Sequence, residues 1–406
     1  MDPIIATAAK ALAQGKPLDA LNFVALRGDA PGLALRGIAM AQLGDLVRAK
    51  GLLKRAARAF GPKRAVSRAR CRVAEAEIAL VSRDLSWPAE TLTSAWQTLE
   101  HHGDSINAAH ARHLEIRRLL LIGRLDDAEH ALCSVNPAGF PPALKTAHEL
   151  VIAGMAIRRL QTDTARAALA RARSSAGQAG IPSLAAEVES TQGLLTSPAA
   201  RLMSRGTQRL LLLEDVEALV ASKTLIVDAC RYAVRNQSST ISLTTRPVLF
   251  TLARTLAEAW PHDVSRDTLI AQAFRLKGGD DSHRARLRVE IGRLRKAINP
   301  LAGIKATPTG FIIEPHQNID VAVLARPINE RHGALLALLA DGDSWPSSAL
   351  AVALGVSQRT VQRALDALAE AGKVQSFGQG RARCWMATPV PGFTTTLLLP
   401  GLLPDG

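Results

Sequence analysis

The sequence predicts a mainly α chain in which a helical repeat region precedes two smaller α+β domains. Three observations carry that expectation. Residues 1–206 are rich in Ala, Leu and Arg, and Gly or Pro interrupts them at helix-sized intervals. Residues 223–316 change to short β-branched runs, then three helix-length segments, then another short β pair. Residues 328–388 repeat that layout on a smaller scale, around two apolar helical segments separated by Gly355-Val356-Ser357.

Size and charge bound the classes open to the chain. With 406 residues and 47% hydrophobic content it has apolar mass for several cores and is not a disordered protein. A net charge of +14 and a pI near 10.4 favour a polyanionic partner, either nucleic acid or an anionic membrane surface. No apolar run approaches the roughly 20 residues of a spanning helix. Met1-Asp2-Pro3 opens neither a secretory signal nor a myristoylation site. The expectation is therefore a cytoplasmic, nucleoid-associated protein with no membrane partner. Cys71, Cys133, Cys230 and Cys384 lie far apart without paired spacing, which reads as reduced core thiols rather than a disulfide framework or a zinc site.

Within residues 1–206, the segments 17–21, 45–53, 124–132 and 163–169 each open a new helix after a previous one, and small residues four positions before a Leu allow close helix packing. The pattern resembles tetratricopeptide (TPR) repeats, whose period is about 34 residues, with a register here that wanders between roughly 28 and 42. A TPR-like domain implies stacked helix pairs and a concave surface for a protein, a peptide or a small ligand. A helical domain that only dimerises or supports the remainder is the alternative. His101-His102, His110 and His113 have no acidic ligand at metal spacing and read as surface or inter-helix residues.

In the second region, residues 225–227, 229–234 and 240–243 read as small strands. Residues 246–260 follow as a first helix. Ser265 caps a second running to about Phe274, and Ser282 caps a third running to about Ile298, where Asn299-Pro300 stops it. Residues 304–307 and 311–313 make a hairpin around Pro308-Thr309-Gly310. Between Ser282 and Ile298, five Arg and one Lys stand against a single Glu, while Leu287, Ile291, Leu294 and Ile298 keep a 3–4 spacing. One face packs and the other is cationic. A solvated helix alternates charge signs, whereas Arg284 and Arg288 stack like charges at a small cost, which points to a phosphate partner. Pairing of these arginines with acidic residues elsewhere in the chain is the alternative.

Four segments, in this order and spacing, carry a resemblance. Leu243-Thr244 leads into the first helix, and Val264-Ser265-Arg266-Asp267-Thr268-Leu269 opens the second. Ile291-Gly292-Arg293-Leu294-Arg295-Lys296-Ala297-Ile298 ends the third, and Gly310-Phe311 stands in the hairpin. Residues 223–316 resemble the OmpR-type winged-helix effector domain, whose wing has Gly-Tyr at the last of these places. The resemblance implies a third helix in the major groove. Arg284, Arg286, Arg288 and Arg293 would face bases or phosphates, Arg295 and Lys296 would hold the backbone, and residues 275–281 would face RNA polymerase. The chain departs from the family in lacking a doubly wound receiver before this domain, so phosphorelay control is not expected. Pro308 and Thr309 also replace the basic residue that often enters the minor groove.

At the C-terminus, residues 330–340, 347–354 and 358–371 read as three helices, and Gly372 ends the last in a left-handed conformation. Gly355 can take the positive φ where the second stops, Val356 can plug the angle between helices, and Ser357 can cap the third. The third helix then offers Ser357, Gln358, Arg359, Thr360, Gln362 and Arg363. Arg pairs bidentately with guanine and Gln with adenine, so this is chemistry for reading duplex DNA. Residues 374–377 and 381–385 flank Gly378-Gln379-Gly380 as a hairpin, with Arg381 and Arg383 alternating onto one face to contact phosphate. The whole is a second winged helix-turn-helix, similar to those of many bacterial repressors. Such domains also serve as protein-docking modules. The apolar tail, residues 389–406, reads as packing onto a neighbouring domain, with partner docking as the alternative.

Neither a nucleophile elbow nor a phosphate-binding glycine loop is present, since Gly378-Gln379-Gly380 joins two strands behind a helix. No enzyme activity, cofactor or metal is expected. The sequence leads to the expectation of a bacterial transcription regulator that reads double-stranded DNA through two winged helices while its repeats sense a protein partner or ligand. Two rivals stay open: an interaction scaffold whose winged helices dock proteins, and an architectural protein that coats DNA without sequence preference. The oligomeric state is not legible.

Overall fold

The Ala- and Leu-rich first half forms helices joined by one turn used repeatedly. The structure, a computed structural model, describes residues 2–81, 87–274, 281–316, 319–327, 332–339, 345–354, 356–377 and 383–387. The chain is mainly α-helical, and its described residues divide into two units, one up to residue 193 and one from residue 194 onward. Among the described residues no helix is long and apolar enough to cross a membrane.

In the first unit, α1 (Pro3–Ala13) precedes α2 (Pro17–Val24), α3 (Ala30–Gln42) precedes α4 (Leu46–Phe60), and α5 (Ala65–Val81) precedes α6 (Ala89–His101). Then come α7 (Ser105–Leu121), α8 (Leu125–Cys133), α9 (Pro142–Arg158), α10 (Thr162–Ala179) and α11 (Pro182–Thr196). After α1, α3, α6, α7 and α9 the chain turns in the same way. The amide of Lys16, Asp45, Asp104, Arg124 or Gln161 donates to the carbonyl five residues back, at 2.9 Å in every case. That bond needs a left-handed residue just before it, supplied by Gly15, Gly44, Gly103 and Gly123, and at the fifth turn by Leu160 at φ 55°. Asp45 and Asp104 go on to cap the next helix, accepting from the amides of Arg48 and Asn107.

The helices α1, α3, α5, α7 and α9 pack side by side as one layer, so that each hairpin stacks on the next. One face of α7 carries a buried polar seam. His110 Nε2 lies 2.9 Å from Glu77 of α5, His113 Nε2 lies 2.9 Å from His148 Nδ1 of α9, and Arg117 pairs with Glu187 of α11 at 3.0 Å. His110 and His113 are thus inter-helix residues, while His101 and His102 are exposed. The cysteines are less uniform than the sequence led us to expect. Cys71 is buried, and burial pushes its thiol up to about 12, but Cys133 is exposed and Cys230 and Cys384 are half-buried.

The all-helix reading to residue 206 is corrected by the second unit. Helix stops at Thr196, and β1 (Ala200–Ser204) with β2 (Thr207–Leu211) forms a hairpin. After α12 (Leu213–Ala221) come β3 (Leu225–Asp228), β4 (Ala233–Arg235) and β5 (Thr240–Ser242). Residues 229–232, expected as strand, are a turn instead, because the buried Asp228 carboxylate accepts from the amides of Cys230 and Arg231 at 2.9 and 3.1 Å. The chain continues through α13 (Pro247–Ala259), β6 (Val264–Ser265), α14 (Arg266–Phe274), α15 (Asp281–Ile298), β7 (Ala302–Ala306) and β8 (Gly310–Pro315). It then returns as β9 (Val321–Ala325), which sequence reasoning did not assign. This strand slots between β1 and β3, giving a six-stranded order β2-β1-β9-β3-β4-β5 in which only β3–β9 is parallel. Buried on both sides, β9 is apolar throughout.

One core joins this sheet to the three helices, with Phe250 and Leu256 of α13, Leu269 of α14, Leu287, Ile291 and Leu294 of α15, Phe311 of β8, and Val321 and Val323 of β9. A separate core lies in the last segment, made of α16 (Gly333–Leu338), β10 (Trp345–Pro346), α17 (Ser347–Leu354), α18 (Gln358–Glu370), β11 (Val374–Phe377) and β12 (Cys384–Ala387). Its three strands pair in the order β10-β12-β11. Gly372, at φ 67°, ends α18.

Candidate nucleic-acid interface

The 3–4 spacing of Leu287, Ile291, Leu294 and Ile298 is satisfied in full, since each is no more than 1% exposed. Burial of that seam fixes the rotation of α15 and leaves Arg284, Arg286, Arg288, Arg293, Arg295 and Lys296 exposed on its other sides. Their acidic partners are few and local. Arg284 lies 3.6 Å from Asp281 and Arg293 lies 2.8 Å from Glu290, both on the same helix. The Arg284–Asp281 pair is exposed on both sides and contributes under about 1 kcal/mol, whereas the Glu290 carboxylate that holds Arg293 is only 13% exposed. The Arg286 guanidinium sits 4.5 Å from the Phe274 ring centroid, which orients it without neutralising it. Arg288 and Lys296 have no hydrogen-bond or ion-pair partner among the described residues.

Arg295 is placed differently. Its Nε donates to the Ile304 carbonyl at 2.7 Å, and its guanidinium lies 5.8 Å from the Phe311 ring, so it fastens α15 to the β7–β8 hairpin. At the other end of that hairpin Arg266 donates to the carbonyls of Pro308 and Thr307 at 2.8 and 3.1 Å. The hydroxyls of Thr307 and Thr309 donate to Asp263 and hold its carboxyl below the usual carboxylate range. The tip therefore presents a carboxylate and a guanidinium already engaged, not a free cation. The loop assigned to RNA polymerase, residues 275–281, lies outside the described residues apart from Asp281.

Sequence reasoning missed one basic residue beside α15. An open cleft of about 680 Å³ is lined by Arg246, Pro247, Val248 and Leu249 at the start of α13 and by Glu290, Arg293, Lys296 and Ala297 of α15. Arg246 was legible only as a helix boundary, because what brings it to α15 is the packing of α13.

On α18 the buried seam is Val361, Ala364, Leu365 and Leu368. Ser357 caps the helix, its Oγ accepting from the Thr360 amide at 3.1 Å and lying 2.8 Å from the Thr360 hydroxyl. Arg359 and Arg363 are exposed. The two glutamines are engaged within the domain: Gln358 Nε2 donates to Ser347 Oγ at 3.1 Å, and Gln362 Nε2 donates to Asp366 at 3.0 Å. Val356 does not plug the inter-helix angle, being 42% exposed, and the turn core is closed by Leu350 and Val361 instead. Arg383 lies 4.4 Å over the ring of the buried Trp385, which holds its guanidinium at the strand surface. Gly355 and Arg381 lie outside the described residues, as do Gly378-Gln379-Gly380 and the apolar tail.

The two helices differ in charge. The α15 segment is cationic along its whole length, whereas α18 has Arg359 and Arg363 at its start and Asp366 and Glu370 towards its end. Among the described residues no group of three or more His, Cys, Asp or Glu could hold a metal ion. No protein family, curated protein or solved structure matches this chain.

Proposed function

We propose that this chain is a sequence-specific, DNA-binding transcription regulator of bacterial type, acting at the nucleoid. In this reading both α+β segments are winged helices that read double-stranded DNA, the first of them OmpR-like, and the TPR-like stacked hairpins receive a protein, peptide or small ligand. The observation that carries it is α15, rotated by its own apolar seam so that six cations face out with only two acidic residues on the helix. Duplex phosphate neutralises such a face, and counterion release supplies the affinity. The capped α18, with Arg359 and Arg363 held outward, supports a second reader. RNA polymerase remains a proposed partner of the loop before α15.

The test is selection of genome fragments by the full chain at about 150 mM salt, where non-specific affinity is already weak. Wild type is compared with Arg286→Ala/Arg288→Ala and with Arg359→Ala/Gln362→Ala. An enriched motif that each double variant degrades in a different half is the expected result. No enriched fragment, with both variants like wild type, overturns the reading in favour of a protein scaffold. Binding without sequence preference and with a steep salt slope makes the chain an architectural DNA-coating protein instead.

A further inference from the structure

Opposite the buried seam of α15 runs a second stripe at 3–4 spacing, Ala285, Val289 and Gly292, all exposed, which ends at the cationic Lys296. Val289, at its centre, is 53% exposed, and a Cβ placed on Gly292 would meet nothing within 4 Å. On one flank of this low ridge stand Arg284 and Arg288, and on the other Arg286 and Arg293, while Arg295 is held by the Ile304 carbonyl. Helical periodicity alone sets this cross-section, with small side chains in the middle and long cationic ones on both sides.

A helix selected only for charge or solubility would carry Lys, Glu or Arg on its most exposed line. Valine there is a poorer helix former and leaves apolar surface in water. The arrangement matches what a major groove asks of a helix. Small residues let the backbone approach the floor, and the flanking guanidiniums meet the two phosphate walls. The one apolar group on that floor is the C5 methyl of thymine. We infer that Val289, with Ala285 beside it, reads thymine through its C5 methyl, so that the half-site under α15 has thymine at its centre.

This inference rests on the proposed DNA-binding function and specifies the base that α15 selects. The two rows of cations commit the occupant of the stripe to a polyanion, and the apolar centre to one bearing methyl groups in the groove floor, which is duplex DNA.

The experiment uses the full chain and a synthetic duplex carrying the sequence it selects from a random pool, with each thymine replaced in turn by uracil. That replacement removes only the C5 methyl. One or two replacements in the α15 half-site are expected to weaken wild type by about fourfold each, the change that about 0.8 kcal/mol of apolar burial corresponds to. The same replacements should have a clearly smaller effect on Val289→Ala. Because Val289 is exposed and Ala is the better helix former, a thermal melt should show that variant as stable as wild type. Uracil duplexes bound as tightly as thymine duplexes, or a penalty of equal size in Val289→Ala, would overturn the inference while leaving DNA binding in place. Failure to bind any thymine duplex would remove the functional reading itself, and this inference with it.

Discussion

Arg295 of α15 donates from Nε to the main-chain oxygen of Ile304 at 2.7 Å, and this bond couples the angle of the cationic helix to the strand that follows it. The same guanidinium lies against Phe311 of the next strand, so one side chain joins three successive elements. Arg295→Ala is expected to cost about 1 kcal/mol, the worth of one hydrogen bond from a half-exposed side chain. Hydrogen exchange over residues 291–315 measures it locally. Arg295→Lys should not restore protection, because a flexible ammonium lacks the planar donor that fits between carbonyl and ring. Unchanged exchange in both variants would show that the coupling is carried by the apolar core alone.

Gly310 faces Val264 and Ser265 across the β6–β8 ladder, and a Cβ there would stand 1.7 Å from the Val264 carbonyl oxygen. No side chain can yield to relieve a clash with main chain. Gly310→Ala should therefore separate β6 from β8 and destabilise the second unit by about 2–3 kcal/mol, the scale of an overpacked core substitution. Urea unfolding of the full chain, compared with Gly303→Ala, provides the control, since a Cβ at Gly303 comes no closer than 3.8 Å to its nearest neighbour.

What could be read from the sequence was whatever local periodicity controls. The seams of α15 and α18 show as 3–4 spacing because each helix has one buried face, and Ser265 and Ser357 announce helix starts through chemistry within three residues. The sheet was less legible. β2 is exposed over four of its five residues and so shows no alternation, β1 follows closely on the end of α11, and β9 is a uniformly apolar run without a period. The partners of β9 are set by tertiary pairing with strands about a hundred residues earlier, which no local pattern encodes. The same limit applies to the site. Spacing put the arginines of α15 on exposed faces, but only packing shows that Arg295 is fastened to Ile304 and that Arg246 joins the cleft beside Arg293 and Lys296.

Ser357 separates helix stability from helix charge. Ser357→Ala removes the acceptor for the Thr360 amide and should cost about 1 kcal/mol in the C-terminal segment, read as a lower melting temperature. Ser357→Asp keeps the cap, so stability should hold. If the start of α18 lies against phosphate as proposed, the added charge should still weaken DNA binding several-fold. Equal DNA affinity in Ser357→Asp and wild type would take the start of α18 off the DNA.

In the first unit the buried pair His113–His148 gives folding a pH dependence. The ring nitrogens lie 2.9 Å apart, one donating and the other accepting, with Phe140 packed edge-on against both rings. Burial, reinforced by the charges of His148, His110 and Arg117, holds His113 down to about 3, and burial lowers His148 as well, against the opposing pull of Glu149. In the unfolded chain each imidazole takes its proton near about 6.5. Between those limits the unfolded state binds more protons than the folded one. Stability is thus complete above about pH 6.5 and falls as the pH is lowered towards 3. From the His113 site alone, the first unit should be on the order of 2 kcal/mol less stable at pH 5 than at pH 7.5. His113→Gln keeps a hydrogen-bonding side chain that does not titrate, so denaturation midpoints followed by hydrogen exchange in α7 and α9 should differ less between the two pH values in that variant. Equal pH dependence in wild type and His113→Gln would assign the acid sensitivity to other groups.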